Sequence, residues 1–185
     1  MVDKTKTLLK YSIGIALALF ILRLIIAIKT SAFEFTIDSL CSYGGGAIST
    51  TTILAGIYER FLWRYNPFEN TPKLAKKYIG IIKSSYDNLE YSASLEIKQT
   101  LLTVRVTLIT DESRSVSLSS SIDKILGDTQ LTYCYLNTPK TEFRHRSEIH
   151  YGTAMLLLNT PSRIDGQYYT DRQTRGDMTF HCSDE

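Results

Sequence analysis

The sequence predicts an N-terminal two-helix transmembrane hairpin joined to an all-β soluble domain, a small antiparallel up-and-down β-barrel of about eight strands. Three observations carry this prediction. Two apolar stretches of membrane-spanning length lie ahead of residue 60, with lysines and arginines outside them. From Lys76 onward, apolar and polar residues alternate with the period of two that sets successive strand side chains on opposite faces. Turn residues punctuate that alternation at short intervals, and no helical period interrupts it.

The first span, Tyr11 to Ile28 (about 11–28), is apolar except for Arg23. A signal peptide also has a basic start and an apolar core, but this segment ends in Ile-Lys-Thr without a small-x-small cleavage site, and a second apolar segment follows. That second span, about 37–57, has no charge between Asp38 and Glu59, and its middle is small and polar: Ser42, Gly44, Gly45, Gly46, Ser49. Small residues let helices approach closely in lipid, whereas in water these glycines disfavour a helix. Lys4, Lys6 and Lys10 precede the pair and Arg60, Arg64, Lys73, Lys76 and Lys77 follow it, so the positive-inside rule places both termini in the cytoplasm of a two-pass inner-membrane protein. Two core helices of a soluble domain are the alternative. Arg23 within a span costs about 2.5–3.5 kcal/mol. It either snorkels or pairs with polar groups of the second helix, or it faces a partner helix in an oligomer; Arg23, Gly45, Gly46 and Ser49 are the candidates for membrane packing and oligomerisation.

The run IYERFLWRYNPFENTPKL sets Trp63, Tyr65 and Phe68 where a membrane interface favours aromatics, and Pro67 and Pro72 end the helix. Residues 1–70 therefore form the hairpin and junction, and residues 71–185 a cytosolic β-barrel. In the barrel, Tyr78, Gly80, Ile82 and Ser84 share one face, as do Leu95, Ile97 and Gln99, then Leu102, Val104, Val106 and Leu108. Val116, Leu118 and Ser120 follow after Asp111–Glu112, and Leu131, Tyr133 and Tyr135 after Gly127–Asp128. Asn137–Thr138–Pro139 reads as a break before a strand from about Glu148 to Leu158. Tight turns between successive strands predict a meander, and closure removes the exposed edges; a flattened sandwich is the alternative. Strands this short, with charged outward faces, do not span a membrane themselves.

Ile164 to Phe180 supplies the last strand pair and the most informative face. Ile164, Gly166, Tyr168, Thr170, Arg172, Thr174, Gly176, Met178 and Phe180 alternate to one side, apolar at both ends and polar in the middle, with the turn near Gln173–Arg175. The polar middle either crowds the rim by the turn or faces a polar ligand. A one-residue slip would instead turn Tyr169, Asp171 and Arg175 inward. An eight-stranded barrel is just wide enough to be filled by side chains or to hold one small ligand at its mouth. The candidate ligand-binding residues, inward with polar ends, are Tyr78, Tyr133, Tyr135, Asn137, Tyr168, Thr170, Arg172 and Thr174. Aromatics that stack on flat rings beside an arginine and hydroxyls suit a nucleotide bearing phosphates. For Tyr133 and Tyr168, a core position with the hydroxyl at the rim is the alternative.

Composition excludes several classes. A net charge of +2 with mixed signs, and no basic block, argues against DNA or RNA polymers as partners. Three cysteines, Cys41 far from Cys134 and Cys182, do not form a disulfide framework. No catalytic or metal-binding constellation emerges. His145 and His150, five apart, fall on opposite faces of a strand, and His181–Cys182 sits too near the chain end for an enclosed nucleophile. The serines from Ser117 to Ser121 read as a solvated strand face. No cofactor and no enzymatic activity are expected, an unrecognised hydrolase site being the remaining enzymatic alternative.

The order of parts resembles the two-transmembrane, β-strand-rich effectors associated with bacterial cyclic-oligonucleotide signalling in anti-phage defence (CBASS). The resemblance rests on the N-terminal hairpin, YERFLWRYNPFENTPKL, YIGIIKSSYD, HYGTAMLLL and GQYYTDRQTRGDMTF, and covers nearly the whole chain. It implies a membrane-tethered barrel that binds a cyclic dinucleotide made by a partner nucleotidyltransferase. It further implies self-association on binding, with the assembled hairpins acting on membrane lipid to disrupt the inner membrane and abort the infection. A constitutive, lipocalin-like anchored module for a lipid or small metabolite is the alternative.

Overall fold

The computed structural model describes residues 2–30, 34, 36–160 and 162–183. The chain divides into two compact units, Met1–Glu69 and Asn70–Glu185.

The first unit holds two helices in contact with each other, α1 (Val2–Lys29) and α2 (Ile37–Arg60). The span Lys4–Lys29 of α1 has a mean hydropathy of 2.4 and is the one helix among the described residues long and apolar enough to cross a membrane by length and composition. Leu9, Ile13, Leu17 and Ile21 are exposed along it. The expected hairpin of two spans is thus matched by a helix pair in which only α1 has that character. The serines, threonines and glycines of α2 lower its hydropathy. Residues 31–33 and 35 of the connection read as an external loop lie outside the described residues. Thr36 caps α2, its hydroxyl accepting from the Ser39 N–H at 3.2 Å. Arg23 lies over Gly46: a Cβ there would sit 1.8 Å from a guanidinium nitrogen. Gly44 faces Phe20, whereas nothing lies within 4 Å of a Cβ on Gly45, and Ser49 is exposed. This placement sets the guanidinium against α2 of the same chain.

The second unit is a closed barrel of eight antiparallel strands, each bonded to its neighbours in sequence and the last to the first. The strands are β1 (Lys77–Ser84), β2 (Glu90–Gln99), β3 (Val104–Thr110), β4 (Ser113–Ile125), β5 (Asp128–Pro139), β6 (His150–Thr160), β7 (Arg163–Thr170) and β8 (Arg175–Cys182). The meander follows from the turns. Leu126 and Gly127, with φ of 52° and 100°, make the two-residue turn between β4 and β5, and positive φ at both positions is what a type I′ hairpin requires.

Alternation puts Tyr78, Ile82, Leu95, Ile97, Val106, Leu131, Tyr133, Leu156, Ile164, Met178 and Phe180 into one core. One end is plugged by the chain that leads into β1. Leu74 belongs to the core, its N–H donates to Gln99 Oε1 at 3.0 Å, and Gln99 Nε2 donates to the Pro72 carbonyl at 2.7 Å. Inside so narrow a barrel, large residues need small partners. Gly80 lies across from Phe180, Gly152 from Tyr135, Gly166 from Leu156 and Gly176 from Tyr168.

The alternation fails at β4. Leu118, expected on the apolar face, is 63% exposed, while Ser115 is buried. A register shift between Ser117 and Ser119 inserts one residue, so the inward face changes from odd to even positions. Only three residue pairs join β3 to β4, Thr107 to Ile109 against Val116 to Arg114. Beyond them, Ser117 Oγ accepts from the Val106 N–H at 2.9 Å and Ser120 Oγ donates to the Val104 carbonyl, replacing ladder bonds. The serine run is therefore in part a backbone-bonding device. Two smaller expectations also shift. Leu102 lies in the Thr100–Thr103 turn ahead of β3, and β5 continues through Asn137 to Pro139 where a break was expected.

Candidate functional site

The plug fills one end of the barrel, and at the other the strands open on a cavity of about 290 Å³. Its floor is apolar, with Ile82, Leu108 and Met178, and its walls carry Tyr135 and Tyr168. Each tyrosine is seated over a glycine. A Cβ on Gly152 would stand 2.4 Å from the Tyr135 ring, and one on Gly176 2.6 Å from the Tyr168 ring. Burial pushes the ionisation of both phenols upward, partly offset by the nearby positive charge of Arg172.

The turn between β7 and β8 forms one side of the rim. Thr170 and Thr174 clasp each other across it, Oγ1 to Oγ1 at 2.6 Å, and the Thr170 N–H donates to the Thr174 carbonyl at 2.9 Å. The Asp171 carboxylate accepts from the Tyr151 N–H at 3.2 Å and fixes the turn to β6. Arg172 projects from this clasp, lines the cavity, and makes no hydrogen bond or ion pair among the described residues. In the polar middle of Ile164–Phe180 the threonines therefore crowd the rim, and Arg172 lines the cavity. Tyr169, Asp171 and Arg175, the residues of the slipped register, are exposed.

The opposite rim is acidic and already engaged. The Tyr91 hydroxyl donates to the Asp87 carboxylate, a bond that holds Asp87 below the usual carboxylate range and pushes Tyr91 up to about 12. Glu112 is paired with Arg146, whose guanidinium lies 5.1 Å from the centre of the Phe143 ring. Deeper in, Asn137 is 9% exposed and gives its Nδ2 hydrogens to Ser113 Oγ at 3.0 Å and Ser115 Oγ at 2.8 Å. Beside it, His150 is 8% exposed, and its Nδ1 lies 2.8 Å from the Glu148 carbonyl, a pure acceptor that fixes the proton on Nδ1. Burial lowers the ring's proton affinity.

The structure thus brings Tyr135, Asn137, Tyr168, Thr170, Arg172 and Thr174 to one cavity. It places Tyr78 and Tyr133 elsewhere. The Tyr78 hydroxyl accepts from the Ala75 N–H at 3.0 Å by the plugged end, and Tyr133, 1% exposed, lies in the core. His145 is not on a strand at all but in the turn after Thr141–Phe143, while His150 opens β6 facing inward. His150, Ser115, Arg146, Asp87, Tyr91 and Glu112 line the cavity without having been singled out for it. Among the described residues, no group of three or more His, Cys, Asp or Glu side chains is placed to hold a metal, and the three cysteines are free.

Comparison with known proteins agrees with this architecture. Residues 69–182 match the family model described as Cap15, cyclic dinucleotide receptor domain. The chain is also 31% identical over 182 residues to CD-NTase-associated protein 15 of Staphylococcus schleiferi, covering 96% of this chain and 97% of that one. The match to the family model spans the closed barrel and its mouth, and the likeness to the relative runs through the helical unit as well, so the chain belongs to the CBASS-associated Cap15 family.

Proposed function

We propose that the barrel mouth binds a cyclic dinucleotide made by a partner nucleotidyltransferase, and that the occupied protein self-associates so that its helix pairs disrupt the bacterial inner membrane and abort infection. The observation that supports this reading best is Arg172, held on a rigid turn without an ion pair among the described residues, above a cavity walled by two tyrosines. A phosphodiester supplies the missing charge, and planar bases suit the tyrosine faces. The cavity, about 290 Å³, is at the lower end of small-molecule sites, roughly 300–1,000 Å³, so a ligand with two bases and two phosphates rests across the mouth with part of itself outside. An exposed ligand face gives a second copy something to bind, which is the differential affinity that ligand-driven assembly requires. In the helical unit, Gly45 and Ser49 lie on a surface that α1 leaves free and suit helix contact between copies. The flanking lysines and arginines support a two-pass placement with both termini cytoplasmic.

Calorimetry on the full chain in lipid nanodiscs, with a panel of cyclic di- and trinucleotides, tests the binding step. Saturable heat with at least one cyclic dinucleotide is expected. Arg172→Ala is expected to weaken it about 10- to 100-fold, the range of one hydrogen bond to a charged group. Absence of heat with every nucleotide overturns the proposal. Equal binding of a fatty acid by the parent and Arg172→Ala proteins would instead favour a lipocalin-like module.

A further inference from the structure

Two neighbouring residues that line the cavity carry hydrogen-bond acceptors without donors of their own. Asn137 has both amide hydrogens committed to serine oxygens, and its Oδ1 is buried with no partner among the described residues. Leaving a buried carbonyl unpaired costs about 1–3 kcal/mol, and native proteins rarely do so without a reason. His150 has its proton fixed on Nδ1 by the Glu148 carbonyl, and because burial keeps the ring neutral, Nε2 carries a lone pair. That nitrogen makes no hydrogen bond among the described residues. Asn137 and His150 are direct partners across the β5–β6 ladder, both inward. Side chains at such positions start about 4.5–5.5 Å apart at Cβ. The site therefore offers acceptor beside acceptor, and the two rim carboxylates do not compete, being engaged by Tyr91 and Arg146.

Resting on the cyclic-dinucleotide reading above, we propose that Asn137 Oδ1 and His150 Nε2 together read a base edge with two adjacent donors, and that the mouth selects guanine. Guanine presents N1–H beside its N2 amino group. Adenine and cytosine present one amino group next to a ring lone pair, which would face a second lone pair here, and uracil presents one N–H between two carbonyls. A site built to bond a donor rejects the analogue lacking it strongly, because its own buried acceptor is left unpaired.

The test measures binding of 3′–5′-linked cyclic di-GMP, cyclic di-IMP, cyclic di-AMP and cyclic di-UMP to the full chain in nanodiscs. Cyclic di-GMP is expected to bind at least tenfold tighter than cyclic di-AMP or cyclic di-UMP. The inosine ligand, lacking only the N2 amino group, is expected to lose most of that margin. Asn137→Leu and His150→Phe, which remove the acceptors, are expected to bring the guanine-to-adenine ratio within about threefold. That ratio is insensitive to a general loss of folded protein. Equal affinity for guanine and adenine ligands, or a ratio unchanged in both variants, overturns the inference while leaving cyclic-dinucleotide binding intact. Failure of all four ligands to bind overturns the inference, and the cyclic-dinucleotide reading falls with it only if every other nucleotide of the wider panel also fails.

Discussion

At His150 burial opposes a second proton, with the Arg172 charge acting the same way and the Glu148 carbonyl acting against them. Its folded proton affinity lies below the ordinary value of 6.5 that the unfolded chain retains. Between those two values the unfolded chain binds more protons, so the contribution to stability is complete above pH 6.5 and is lost as pH falls through the folded value. Urea unfolding between pH 7 and pH 5 is expected to show a declining free energy, and His150→Gln should flatten that decline. Asp87 acts in a lower window: its contribution is present above pH 3.8 and lost as pH falls through its depressed folded value. The sequence revealed residues of this site unevenly. Arg172 and Thr174 were legible because the period of two runs on through the turn. His150 was not, because its facing depends on where β6 begins and on its pairing with Asn137, and neither is written in local pattern. Arg146 lies in the connection after β5, where no periodicity marks a residue's direction.

At the scale of the elements, the position of each cavity tyrosine is set from the neighbouring strand. Gly152→Ala or Gly176→Ala places a methyl against Tyr135 or Tyr168 at distances no Cβ tolerates, so the ring must move. Each substitution is expected to destabilise the barrel by about 1–3 kcal/mol by thermal or urea unfolding and to weaken nucleotide binding as well. The β4–β5 turn offers the opposite change. Leu126 is fully exposed and left-handed, a conformation costing a non-glycine residue about 1–2 kcal/mol. Leu126→Gly is expected to recover about 1 kcal/mol in the same assay, with nucleotide affinity unchanged. Alternation gave six strands their correct inward faces and found β6 without assigning its face, but the β4 bulge was hidden. An inserted residue within Ser117–Ser119 changes no composition, and serine hydroxyls that stand in for ladder bonds look like solvent-facing polarity.

For the molecule as a whole, the meander was readable because every pairing except the closing one of β1 with β8 joins strands adjacent in sequence, so turn residues specify the order. The character of α2 was less so: its length and flanking charges match a span, while its hydropathy is lowered by its serines, threonines and glycines, Gly46 among them lying under Arg23. Division into two compact units leads to a further expectation: a chain lacking residues 1–69 should retain one cooperative thermal transition, with all the cavity-lining residues present. Loss of that transition would mean the barrel depends on the helical unit.

The pairing of β1 with β8 is the one ladder that joins the two ends of the barrel sequence, and Ile82 and Met178, which floor the cavity, face each other across it. Long-range closure of this kind is slow, because the whole intervening chain must be ordered before its contacts form. The cavity is consequently absent from any intermediate in which the seam is open. A ligand seated over Ile82 and Met178 therefore leaves the folding rate almost untouched and acts as a brake on unfolding, lengthening the lifetime of the closed barrel.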